Sequence, residues 1–76
     1  MDPKSHLQEI SQSEEGHTPL YKVLDEEGPD HDKVFTIGVL VNGVLRGKGE
    51  GPSKQLGQQE AAIVALEYYA NKSGKH

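Results

Sequence analysis

The chain has 76 residues, no cysteine and a formal net charge of −4. This length supports one small core, and the lack of cysteine excludes disulfides and thiolate zinc sites. No apolar run approaches the roughly 20 residues of a membrane span and none follows Met1, so we expect neither a membrane helix nor a signal peptide.

The first predicted element is a helix over residues 3–14. Asp2 is a good N-cap, and Pro3 suits the first helical position because its fixed φ is already helical. Gly16 is a plausible C-cap, since glycine adopts the left-handed conformation that often ends a helix. Most of the predicted helix surface is polar, with one narrow apolar stripe.

Three strands are predicted next, over residues 20–26, 33–41 and 44–50. The second is the strongest, because its apolar side chains alternate along the strand. Asn42-Gly43 then favours a type I′ hairpin turn between the second and third strands. In the third strand, Gly47 and Gly49 recur at period 2 and leave one face bare, which suits a helix packed closely against the sheet.

A second helix is predicted over residues 53–72, with Ser53 as N-cap and Gly74 as the stop. Lys54 stands at the helix start, where the dipole disfavours a cation and favours an outside anion such as phosphate. The expected fold is therefore α+β, in the order α-β-β-β-α. One domain, residues 1–76, would pack two helices on one face of a three-stranded antiparallel sheet. The expected core residues include Tyr21, Phe35, Ile37, Leu66 and Tyr69.

Three segments in this order resemble the double-stranded-RNA-binding domain (dsRBD), in particular the C-terminal domain of bacterial ribonuclease III. The first is Asp2-Pro3-Lys4-Ser5-x-Leu7-Gln8-Glu9. The second is Gly28-Pro29-Asp30-His31-Asp32-Lys33-x-Phe35. The third begins at Gly47-Lys48-Gly49-Glu50-Gly51-Pro52-Ser53-Lys54 and continues to Ala61-Ala62. The resemblance covers nearly the whole chain.

The resemblance implies binding to duplex RNA by shape, across two minor grooves and the phosphates between them. Gln8 and Glu9 would contact 2′-hydroxyls and base edges in one minor groove, and His31 would reach the next. Lys54 would contact the intervening phosphates. Ser5 would either approach the RNA backbone or support the first helical turn. Outside this context, Lys54 would be a solvated lysine and His31 a plain loop histidine or half of a weak metal site.

The chain departs from the family pattern at the start of the second helix. Gln55 replaces the family's second lysine, and Gln58 stands where other members carry a lysine or a glutamate. We still count both among the expected RNA-binding residues, with a weakened phosphate contact. Gly57 replaces the usual alanine, which costs about 1 kcal/mol of helix stability. The acidic net charge also predicts weaker and more salt-sensitive binding.

The resemblance further implies that the chain is a fragment of a ribonuclease III, an endoribonuclease of the cytoplasm. The family's catalytic carboxylates and their magnesium would belong to a separate domain, through which the parent enzyme would be homodimeric. The chain itself holds no catalytic signature and needs no cofactor. We interpret the acidic runs Glu14-Glu15 and Asp25-Glu26-Glu27 as solvated surface. The alternative function is a protein-interaction or dimerisation module of the same fold with weak or lost RNA binding, and an unrelated α+β protein remains a further alternative.

Overall fold

The computed structural model describes residues 2–73 and contains five elements. They are α1 (Pro3–Glu15), β1 (Leu20–Glu27), β2 (Val34–Val41), β3 (Val44–Gly51) and α2 (Lys54–Ser73). The strands form one antiparallel sheet in the order β1-β2-β3. The α-β-β-β-α order predicted from the sequence is confirmed. No helix in residues 2–73 is long and apolar enough to cross a membrane.

Short-range hydrogen bonds fix the helix ends. The Asp2 carboxylate accepts from the Ser5 backbone N–H at 2.9 Å, and Gly16 ends α1 in the left-handed conformation at φ 70°. Ser53 precedes α2, and its hydroxyl accepts from the Leu56 N–H at 3.1 Å, as expected of an N-cap. The expected stop at Gly74 lies outside the described residues.

The β2–β3 hairpin has the tight turn that Asn42-Gly43 predicts. Val41 pairs with Val44 across the turn, so the loop contains two residues. Both have positive φ, 55° at Asn42 and 77° at Gly43, which a type I′ turn requires. This turn fixes the register of the two strands.

The bare face of β3 lets α2 lie directly against the sheet. A Cβ at Gly47 would come within 2.6 Å of the Ala61 carbonyl oxygen, and a Cβ at Gly49 would overlap the α2 backbone. The close packing predicted from these glycines is confirmed. Gly57 on α2 has a similar role, because a Cβ there would lie 2.6 Å from Ile37 Cγ1. Packing thus explains a glycine that helix propensity disfavours.

The core lies between the inner sheet face and the two helices. Its buried hydrophobic residues are Leu7, Ile37, Val39, Val41, Ala61, Ala62, Ala65 and Tyr69. The expected core residues Ile37 and Tyr69 are each about 1% exposed, whereas Tyr21, Phe35 and Leu66 are partly buried and pack against the same cluster.

A bulge in β3 directs Arg46 towards both helices. Val39 pairs with Gly47 and Leu40 with Leu45, which leaves Arg46 as the extra residue. Its guanidinium donates twice to the Glu15 carboxylate, each bond at 3.1 Å, and the Tyr69 hydroxyl donates to the same carboxylate at 2.5 Å. The interpretation of Glu15 as solvated surface is therefore wrong: its side chain is 11% exposed and connects α1 to β3 and α2.

Candidate nucleic-acid interface

The N-terminal turns of α1 and α2 border a polar cleft of about 340 Å³. Its lining residues are Asp2, Lys4, Ser5, Gln8, Pro19, Tyr21, Gln55 and Gln59. Three residues predicted from the sequence, Ser5, Gln8 and Gln55, are thus brought together from two helices about 50 positions apart in the chain. All three are exposed. The cleft presents hydroxyl and amide groups, which can both donate and accept hydrogen bonds.

Lys4 and Gln58 connect the two helices at this cleft. The Lys4 ammonium donates to Gln58 Oε1 at 2.6 Å and lies 5.2 Å from the centroid of the Tyr21 ring. Both Lys4 and Gln58 are partly buried. Lys4 was part of the sequence motif but was not predicted as a site residue. The signal that could have identified it is the one used for Lys54, a cation in the first turn of a helix.

Lys54 is the first residue of α2 and is exposed. Its ammonium lies 5.9 Å from the centroid of the Phe35 ring, at the start of β2. This distance permits a cation–π contact, which would orient the side chain without neutralising its charge. Lys54 therefore lies towards the end of the sheet that carries the β1–β2 loop.

His31 lies on the β1–β2 loop, which is shaped by local contacts. Gly28 has φ 97°, and the Asp32 N–H donates to the Pro29 carbonyl at 2.9 Å. His31 itself is exposed, as is Glu9 on α1. Neither residue lines the cleft. Their roles stay predictions, as does the RNA-binding role of every residue in the predicted set.

Hydrogen bonding and burial change the proton affinity of two groups at the cleft. Hydrogen bonds from Ser5, first from its side chain and then from its backbone N–H, hold the pKa of Asp2 below its ordinary value. These bonds place Ser5 in the N-terminal cap of α1, and its contact with the RNA backbone stays a prediction. Burial raises the pKa of Tyr21, whose hydroxyl oxygen has no hydrogen-bond partner among residues 2–73. Tyr21 thus forms a neutral wall of the cleft.

The acidic residues do not converge on a metal site. Within residues 2–73, no three or more His, Asp or Glu side chains are placed to hold a metal ion. Glu15 is bound by Arg46 and Tyr69, and Glu26 lies 3.4 Å from the Lys33 ammonium. A magnesium site needs several carboxylate or water oxygens around one point. The described residues do not fit that ion.

The chain belongs to the double-stranded RNA binding motif family, because the family model matches residues 3–69. It is 46% identical over 71 residues to "Ribonuclease 3" of Carboxydothermus hydrogenoformans, covering 93% of this chain and 30% of that protein. It is 52% identical over 65 residues to "Ribonuclease 3" of Pelotomaculum thermopropionicum, covering 86% of this chain and 27% of that protein.

A solved structure agrees with this assignment. The first dsRBD of protein HYL1 has a TM-score of 0.73 and 35% sequence identity, covering 91% of this chain and 97% of that one. The chain is thus a double-stranded-RNA-binding domain, homologous to the corresponding part of ribonuclease 3. It spans less than a third of the length of the curated relatives it matches.

Proposed function

We propose that the domain binds duplex RNA through the surface formed by the first turns of α1 and α2 and by the β1–β2 loop. The observation that carries this proposal is the polar cleft, which joins Ser5 and Gln8 of α1 to Gln55 of α2, with Lys4 in its lining and Lys54 next to Gln55 at the start of α2. A-form RNA displays 2′-hydroxyls in a wide, shallow minor groove. Amide side chains suit that groove, since they can donate to and accept from a hydroxyl.

The division of roles follows from charge. Gln8 and Glu9 would contact 2′-hydroxyls, because a carboxylate repels phosphate and accepts from a hydroxyl. Lys54 would contact phosphate, aided by the positive end of the α2 dipole. Because its ammonium lies near the Phe35 ring, Lys54 would contact phosphates between the cleft and the loop that carries His31. His31 would then enter the second minor groove.

Replacing Lys54 by alanine tests the phosphate contact. We expect Lys54→Ala to weaken binding to duplex RNA and to reduce the slope of log K against log salt by about 1. The matched control is Lys48→Ala, because Lys48 is exposed and pairs with Gly38, away from both helices. An unchanged slope in Lys54→Ala, measured by fluorescence titration at several salt concentrations, would contradict the assignment.

We further propose that the domain is the substrate-binding part of a ribonuclease III-type endoribonuclease that acts in the cytoplasm. Identities of 46% and 52% to two proteins called "Ribonuclease 3" support this. Hydrolysis, its magnesium and the homodimer contact would then belong to the rest of the parent protein. The test is cleavage of duplex RNA by the full-length protein with magnesium, compared with the protein lacking these 76 residues. Equal cleavage by both would contradict a substrate-binding role.

The alternative of a protein-interaction module depends on the loss of RNA affinity. The glutamines at positions 55 and 58 and the net charge of −4 favour it. Retention of Gln8 and Lys54 on one surface favours RNA, because a docking domain has no need of this combination. Failure to bind duplex RNA even at low salt would favour the alternative.

A further inference from the structure

Two of the seven basic side chains in residues 2–73 form ion pairs. Arg46 forms an ion pair with Glu15, and Lys33 forms ion pairs with Glu26 and Asp30. The other five, of which Lys4 and Lys54 lie in the first turns of the helices, form none within these residues. The ammonium of Lys4 contacts Gln58 and Tyr21, and its charge also acts on the Asp2 carboxylate. The ammonium of Lys54 lies near the Phe35 ring.

Lys4 and Lys54 both lie where their own helix disfavours a cation. Lys4 is the second residue of α1 and Lys54 is the first residue of α2. The free N–H groups of a first turn carry partial positive charge, which favours an anion there. At α1 the Asp2 carboxylate already supplies part of that negative charge, whereas α2 is capped by the neutral Ser53 hydroxyl. Within residues 2–73 neither lysine is held in an ion pair, so both are available to an external anion.

Gln58 holds the Lys4 ammonium against the surface that carries Lys54. Lys54 and Gln58 are four positions apart on α2 and share one face of the helix. The hydrogen bond from Lys4 to Gln58 uses one of three ammonium donors and leaves two for a further acceptor. Because Lys4 is partly buried, its stem is ordered before any ligand arrives, which lowers the entropy cost of binding.

We propose that Lys4 is a second phosphate-contacting residue of the RNA surface and that Gln58 is its positioning residue. The first turn of α1 thereby supplies a cation to an α2 surface that presents only glutamine at positions 55 and 58. This inference rests on the proposed binding of duplex RNA. It adds one phosphate to that interaction and gives Gln58 a positioning role in place of direct contact with RNA.

The first test is Lys4→Gln in a salt titration with a duplex RNA of about 20 base pairs, which exceeds the roughly 16 that one such domain spans. We expect weaker binding and a slope lowered by about 1, and a thermal unfolding scan checks that the variant is folded at the temperature of the titration. Lys22→Gln is the matched control, because Lys22 is exposed on the sheet face opposite the helices and loses the same charge. A slope lowered equally by Lys22→Gln would overturn the proposal, since the effect would then be one of net charge.

A rescue variant separates a phosphate contact from a purely structural role. Adding Gln58→Lys to Lys4→Gln places a cation directly on the same face of α2, and we expect it to restore the wild-type slope. An unaltered slope in Lys4→Gln, or no recovery in the double variant, overturns the proposal. Absence of RNA binding by the wild-type chain would instead contradict the proposed function itself.

Discussion

At the scale of single residues, the Glu15 carboxylate accepts three side-chain hydrogen bonds from two other elements. It accepts two bonds from Arg46 and one from Tyr69, and the Arg46 guanidinium lies 4.5 Å from the centroid of the Tyr68 ring. The partners are 31 and 54 positions away in the chain. Sequence patterns report periodicity and local signals, so they could not predict that this acidic residue would be enclosed.

We expect Glu15→Gln to lower the free energy of unfolding by about 1.5–3 kcal/mol, the usual contribution of a hydrogen bond to a charged group. The glutamine amide has nearly the same shape as the carboxylate. It has only one accepting oxygen and no negative charge, so it cannot accept hydrogen bonds from both Arg46 and Tyr69 as Glu15 does. Urea unfolding at pH 7 measures the loss. The matched control is Glu14→Gln, an exposed neighbour whose replacement should change stability little. Equal stability of both variants would contradict the role given to Glu15.

The same cluster predicts a pH dependence with two limbs. Hydrogen bonds from Tyr69 and Arg46 hold the pKa of Glu15 below its ordinary 4.5, so its contribution to stability is present above that pH and lost as the pH falls. Burial and the Glu15 carboxylate raise the pKa of Tyr69 from 10.0 to about 12, so its contribution is present below pH 10 and lost as the pH rises towards 12. Unfolding free energies across this range should show both losses in the wild type, and both should shrink in Glu15→Gln. Parallel pH profiles for the two proteins would contradict this account.

At the scale of elements, the sequence predicted most of what places α2. Glycine at period 2 in β3 indicated a close helix, and Asn42-Gly43 indicated the hairpin turn that sets the register. The bulge at Arg46 was not predicted, because an extra residue in a strand has no local signature when its side chain serves a distant partner. The cleft between the first turns of α1 and α2 was also beyond prediction, since it depends on how the helices sit side by side on the sheet.

Gly49→Ala tests the close packing of β3 against α2. An added Cβ would lie 2.5 Å from the Glu60 carbonyl carbon and would meet the Ala61 N–H, so the helix must move away from the sheet. We expect a loss of about 1–3 kcal/mol, as for overpacking in a core. The measurement is the thermal unfolding midpoint. The control is Lys48→Ala, which changes an exposed neighbour on the same strand. A midpoint as high in Gly49→Ala as in Lys48→Ala would show that α2 does not lie this close.

At the scale of the whole molecule, the chain is elongated, with extents of 44 × 21 × 20 Å. The element order could be predicted from capping, alternation and turn signals, and the family from three sequence segments; both agree with the structure and with the comparisons. For the site, the sequence predicted that the N-terminal parts of α1 and α2 carry the RNA-binding residues. It did not identify Lys4, although Lys4 occupies the first turn of a helix as Lys54 does. The hydrogen bond from Lys4 to Gln58, 54 positions along the chain, has no local signal in the sequence.

The most direct test of the central claim is a titration of the whole chain with a 20-base-pair RNA duplex, the matching DNA duplex and an RNA duplex with 2′-deoxy substitutions, all at low salt. Recognition of A-form shape and 2′-hydroxyls predicts binding to the RNA, little binding to the DNA, and weaker binding to the substituted duplex. Equal affinity for all three would mean that phosphates alone attract the domain. That result would contradict the roles given to Gln8, Glu9 and His31.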